Sequence, residues 1–128
     1  MKFSYTILYV KDVTQSVAFY ESALGLKQRF IDESGQYAEM DTDGITLAFA
    51  SNKLANSNLP QGFQENSLSK LPAGIEIGFV TDDVTAAFAQ AVEAGAVAVV
   101  TPKTKPWGQT VTYVRDLDGI LIELCSPM

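Results

Sequence analysis

The chain has 128 residues, 47% of them hydrophobic, and a net charge of −6 from nine Lys+Arg against fifteen Asp+Glu. That length and apolar share suit one domain with a real core, and the acidic balance argues against a general binder of nucleic acid or of an anionic membrane. It contains no histidine and a single cysteine, Cys125. The lack of histidine and of a second cysteine removes His-based acid–base chemistry, Ser-His and Cys-His nucleophile pairs, His metal ligands, an internal disulfide framework and a Cys-rich zinc site.

A lone thiol in an apolar run fits a cytoplasmic protein better than a secreted one. The opening "MKFSYTILYV" is short and alternating, which predicts neither a signal peptide nor a membrane span. "FSYTILYV" (Phe3 to Val10) reads as a strand. "DVTQSVAFYESALG" reads as a helix capped by Asp12, with Gln15 three residues on as in a capping box. Val13, Val17, Tyr20 and Leu24 form its apolar face, and Gly25 is its stop. Three short strands follow in "LKQRFID", "QYAEM" and "ITLAFA", with turns at Ser34-Gly35 and Asp43-Gly44.

The second half repeats this order. "GIEIGFV" is a strand, and "DVTAAFAQAVEAG" a helix with Asp83 as cap, Val84, Phe88 and Val92 inward, and Gly95 as stop. "AVAVVT", "QTVTYVR" and "ILIELCS" are the remaining strands, the last two joined at Asp118-Gly119. The expected fold is therefore α+β, one domain of two tandem βαβββ modules (residues 1–50 and 74–128). They would form a curved mixed sheet with helices outside and a concave pocket. Residues 51–73, "SNKLANSNLPQGFQENSLSKLPA", are polar and rich in Asn and Ser. They read either as a plain linker loop or as a flap that brings Leu59 or Phe63 to a ligand.

The paired modules, with "ILYVKDVTQSVAFYESALGL", "FVTDDVTAAFAQAVEAGA" and "PWGQTVTYVRDLDGILIEL", resemble the vicinal-oxygen-chelate superfamily. That superfamily includes glyoxalases, fosfomycin-modifying enzymes, extradiol dioxygenases and bleomycin-resistance binding proteins. The resemblance covers nearly the whole chain. Leu117 stands where many members carry proline. Because the superfamily holds both metalloenzymes and metal-free binders, fold alone does not choose a function.

The resemblance implies one metal ligand on the first strand of each module and one on the last. The first-strand positions fall on Tyr5 and Glu76. The last-strand positions fall on Thr46 or Ala48 in the first module and on Glu123 in the second. Two carboxylates, helped by a phenol, make a weak oxygen site that would take Mg²⁺ or Mn²⁺ loosely. It lacks the ligands for tight Zn²⁺ or Ni²⁺ and for the two-His-one-carboxylate iron triad. No tightly bound cofactor is expected.

Glu123 alternates with Ile122 and Leu124, so it faces either solvent or the cavity. Glu76 has the same alternatives, and two carboxylates in one cavity would favour a cation, a cationic ligand or a shared proton. Trp107 is either a core anchor beside a turn or a wall that stacks on a flat ligand. Tyr5, Tyr9, Tyr37, Phe49 and Tyr113 are further candidate walls. Arg29, Lys103, Lys105 and Arg115 are candidate anion binders, and Cys125 reads as structural.

The sequence points first to a small-molecule-binding protein without a tightly bound metal. Its candidate ligand-binding residues are Tyr5, Tyr9, Phe63, Glu76, Trp107, Tyr113 and Glu123. The alternative is a glyoxalase-like lyase or isomerase, resembling lactoylglutathione lyase, that uses Glu123 and Glu76 as catalytic residues around a weakly held divalent metal. The resemblance also implies a homodimer.

Overall fold

Period-two alternation and two capped helices set the architecture in a computed structural model that describes all 128 residues. The chain folds as two compact units, residues 1–21 with 25–65 and residues 22–24 with 66–128.

The first unit runs β1 (Tyr5–Val10), α1 (Val13–Leu24), β2 (Lys27–Ile31), β3 (Tyr37–Asp41), β4 (Thr46–Ser51) and α2 (Asn52–Asn58). The strand order is β1-β4-β3-β2. β1 runs parallel to β4 and the other pairs are antiparallel, as a βαβββ module requires. Asp12 caps α1 as expected, its carboxylate accepting the Gln15 N–H at 3.0 Å. Gly25 ends the helix in the left-handed region at φ 70°, which a residue without Cβ enters at no steric cost.

Helix α1 buries Val13, Val17 and Tyr20. The Tyr20 ring lies 4.9 Å from that of Phe49, so Leu47 and Phe49 of β4 face the helix. Thr46, Ala48 and Ala50 then face the other way. Phe49 is fully buried under the helix and is a core residue, not the pocket wall the sequence allowed it to be. The stretch read as a linker begins with the helix α2, which Ser51 caps by accepting the Leu54 N–H at 3.0 Å. The compact units change over between Glu65 and Asn66.

The second unit runs β5 (Glu76–Val80), α3 (Val84–Glu93), β6 (Val97–Thr104), β7 (Thr110–Arg115) and β8 (Leu121–Cys125), in strand order β5-β8-β7-β6. β5 is parallel to β8, and β8 to β7 and β7 to β6 are antiparallel. Helix α3 packs on β6, β7 and β8, over the fully buried Val114, Ile122 and Leu124. Val92 does not join this core. It is 39% exposed, whereas Ala91 is fully buried. Counted from Val84, the position seven residues on repeats the inward direction more closely than the eighth, so Ala91 takes the place expected of Val92.

The α+β class and the two tandem βαβββ modules agree with the sequence reading, and the strands make two four-stranded mixed sheets. No helix is long and apolar enough to cross a membrane.

Candidate functional site

In the second unit, the sheet face away from α3 carries the predicted acids. β8 pairs Glu123 with Gly78 on one side and with Tyr113 on the other. The three residues therefore point to the same face, and so does Glu76, two positions before Gly78. Tyr113 donates its hydroxyl to Glu123 Oε1 at 3.1 Å. Gly78 lies against the carboxylate, where a Cβ built on it would meet Glu123 Oε2 at 3.4 Å.

Burial pushes the Glu76 carboxyl above the usual range, and the Glu123 charge adds to the rise. Burial likewise raises Tyr113, reinforced by its hydrogen bond to Glu123 and by the charges of Glu123 and Glu76. The Cys125 thiol is held up by burial, then by Glu123 and Glu76. It is buried and donates to the Phe79 carbonyl at 3.7 Å, which agrees with a structural role.

In the first unit, Tyr5 pairs with Thr46, and Ile7 with Ala48. Glu123 pairs with the residue two after Glu76. The corresponding residue, two after Tyr5, pairs with Ala48. The register thus resolves the choice left open by the sequence: Ala48, not Thr46, is the counterpart of Glu123. The first unit offers a methyl group there, and a phenol at Tyr5.

A carboxylate is present one strand over. Glu39 pairs with Ala48 from β3. It accepts from Arg29 Nη1 at 3.2 Å on one oxygen and from the Tyr37 hydroxyl at 2.8 Å on the other. Arg29 reaches this face from a bulge between Gln28 and Phe30, and also contacts Asp41 at 3.5 Å and the Thr46 hydroxyl at 3.2 Å. Burial, followed by the hydrogen bond and charge of Glu39, pushes Tyr37 up to about 12. This cluster was missed. Its signal was a basic residue on β2 facing two acids at alternate positions of the adjacent β3.

The other predicted residues are dispersed. Tyr9 and Phe63 meet edge to face at 4.9 Å, so the segment after α2 folds its aromatic onto β1 within the first unit. Trp107 lies on the β6–β7 turn, 63% exposed, with its Nε1–H donated to Gln109 Oε1 at 3.0 Å. It is not a core anchor, because the turn lifts the ring off the sheet. Arg115 is not an available anion binder. Its guanidinium is engaged by the carbonyls of Gly119, Ser67 and Lys70 at 2.9, 3.1 and 2.7 Å. A cleft of about 520 Å³ opens at the start of β1 and β4, lined by residues 2–5 and 44–46. Of the predicted ligand-binding residues only Tyr5 borders it.

The donor set does not fit the metal that the glyoxalase pattern implies. Its four positions carry Tyr5, Ala48, Glu76 and Glu123, and nowhere do three His, Cys, Asp or Glu side chains gather as a metal-holding group. A transition metal normally takes three or four protein ligands.

The sequence matches the Glyoxalase/Bleomycin resistance protein/Dioxygenase superfamily over residues 2–124. No curated protein matches it significantly. Among solved structures, a glyoxalase/bleomycin resistance protein/dioxygenase family enzyme from Burkholderia phytofirmans PsJN superposes with a TM-score of 0.85 at 19% identity, covering 100% of both chains. A glyoxalase-related enzyme from Fulvimarina pelagi gives 0.84 at 18% identity, over 99% of this chain and 88% of that one. A protein of unknown function from Agrobacterium tumefaciens gives 0.79 at 26% identity, over 100% of this chain and 95% of that one. The family match spans both βαβββ modules, and the chain belongs to the Glyoxalase/Bleomycin resistance protein/Dioxygenase superfamily.

Proposed function

We propose that this chain is a small-molecule-binding protein that works without a tightly bound metal. The observation that carries the reading is the register of the first unit. Ala48 stands where the second unit has Glu123, so the family's metal pattern has lost a donor that a neighbouring residue does not replace. Glu39 lies close by, but Arg29 and Tyr37 occupy both its oxygens. The ligand is an apolar or aromatic compound, for which, in the second unit, Tyr113 supplies surface and Glu76 and Glu123 accept hydrogen bonds. A homodimer in the cytoplasm belongs to the same proposal, supported by the family resemblance and by the single unpaired thiol.

A second reading is a glyoxalase-like lyase or isomerase using Glu123 and Glu76. One observation favours it: Glu76 is held above the ordinary carboxyl range beside a second carboxylate, the kind of tuning that acid–base catalysis uses. One experiment separates the two. The protein is purified without added metal, its metal content is measured, and hemithioacetal isomerisation is assayed with added divalent ions. The binding reading expects no stoichiometric metal, no turnover, and thermal stabilisation by aromatic compounds that follows mass action. Stoichiometric metal that is lost in Glu123→Gln would overturn it.

A further inference from the structure

We propose that the cleft at the start of β1 and β4 binds a small aromatic carboxylate, with Lys2 meeting the anion and Phe3, Tyr5 and Ile45 holding the ring. The inference rests on the binding reading above and names a ligand class for the first unit.

The cleft, about 520 Å³, falls in the size range of small-molecule sites. Three of its lining side chains are large and wetted: Phe3 is 70% exposed, Tyr5 54% and Ile45 45%. Apolar side chains gathered around one concave surface mark a place where something else is buried. The chain around them is fixed. The Thr46 N–H donates to the Ser4 carbonyl at 3.1 Å, the Ser4 hydroxyl to the Lys2 carbonyl at 3.3 Å, and the Thr42 hydroxyl to the Ile45 carbonyl at 2.7 Å. A wall ordered before binding loses little entropy when the ligand arrives.

Charge selects the class. Lys2 is the only charged residue of the lining, and it takes part in neither of the ion pairs of the neighbouring Arg29. The Lys2 ammonium therefore has no carboxylate partner of its own. Arg29, by contrast, is compensated by Glu39 and Asp41. Arg29 also supplies an N–H to the Thr46 hydroxyl oxygen at 3.2 Å. With a donor already on that oxygen, the Thr46 O–H is left to donate elsewhere, and Thr46 lines the cleft. An ammonium and a hydroxyl donor beside an aromatic wall suit a carboxylate on a ring. A neutral ring would leave Lys2 unmatched, and a cationic one would be repelled.

The test is a titration of the full chain followed by amide NMR, with benzoate, benzylamine and benzyl alcohol as probes. Benzoate is expected to shift residues 2–5 and 44–46, and benzylamine is not. Lys2→Ala should weaken benzoate about fivefold, as for an exposed ion pair, and Lys2→Arg should retain it. Equal shifts with benzylamine or benzyl alcohol, unchanged affinity in Lys2→Ala, or no shift at these residues would overturn the proposal. So would signals of Phe3 and Ile45 that change with protein concentration alone, because a second copy would then fill the cleft. Probe binding beside Tyr113 and Glu123 with none at the cleft sinks this inference and leaves the binding reading standing. Binding at neither place sinks both.

Discussion

Tyr113 holds Glu123 by one oxygen, its hydroxyl donating to Oε1 at 3.1 Å between directly paired residues of β7 and β8. The first unit has a tyrosine–glutamate pair of a different kind. Tyr37 and Glu39 sit on the same strand, and Arg29 takes the oxygen that Tyr37 leaves. One carboxylate is bonded on both oxygens by its own neighbours. The other is oriented on one side and open on the other, over Gly78. The open carboxylate is the one able to serve a ligand.

Glu123 therefore acts electrostatically on three groups at once. Replacing it by Gln removes a charge that raises Glu76, Tyr113 and Cys125. All three should move toward their ordinary values in Glu123→Gln. Carboxyl-carbon NMR titration reads Glu76, and absorbance titration reads Tyr113 and the Cys125 thiolate. No movement in Glu76 would mean the two carboxylates do not sense each other.

Glu76 makes a signed prediction about stability. Its folded pKa lies above the ordinary value, so the folded state keeps its proton at pH values where the unfolded chain has released it. The stability this proton gives is fully present below the unfolded pKa. It is lost as pH rises through the raised folded value. Glu76→Gln removes that loss. Urea denaturation should show the variant more stable than the parent at pH 7, with the gap closing at pH values below the ordinary carboxyl pKa.

At the alkaline end Tyr37 contributes. Its pKa is pushed up to about 12, against an ordinary value near 10. The unfolded chain ionises first, so stability falls as pH rises from about 10 to about 12 on account of this residue. Glu39→Gln removes the charge that adds to the effect of burial. Absorbance titration should then show one tyrosine ionising earlier than in the parent, and Tyr37→Phe should abolish the step near 12. The same titration curve in parent and Glu39→Gln would detach Tyr37 from Glu39.

Much of this architecture was legible in the sequence. Asp12 and Asp83 announced helix starts, and each accepts an N–H from three residues on. Alternation found every strand, because one face of each sheet is covered by a helix and must be apolar. What escaped was register. The spacing back from the helix cap found Tyr5 and Glu76, but the last strand of the first module has no comparable anchor. Ala48 could be chosen over Thr46 only from the β1–β4 pairing. The Arg29–Glu39–Tyr37 cluster escaped for a related reason. It joins residues brought together across a hairpin, where charge alternation within one strand says little about the neighbour. Val92 escaped because two positions of α3, one residue apart, both came near the inward stripe, and the smaller Ala91 took it.

The β7–β8 turn holds the sharpest steric prediction. Gly119 has φ 84°, and a Cβ there would lie 2.5 Å from Arg115 Nη2 and 2.8 Å from the Ser67 carbonyl oxygen. That nitrogen grips the Ser67 and Lys70 carbonyls, while Nε takes Gly119's own. One guanidinium thus pins residues 67–70 to the turn, and the missing side chain is what lets it through. Gly119→Ala meets both backbone strain and the clash, and should cost about 2 kcal/mol or more in chemical denaturation. Arg115→Ala loses the bonds without the strain, and should cost about 1–2 kcal/mol. The Lys70 amide, which donates to the Ser67 carbonyl at 3.2 Å, reports the local effect, and its hydrogen exchange should quicken in both variants. If Gly119→Ala is as stable as the parent and Lys70 exchanges at the same rate, the turn must yield without releasing the segment, and Arg115 is not its clasp.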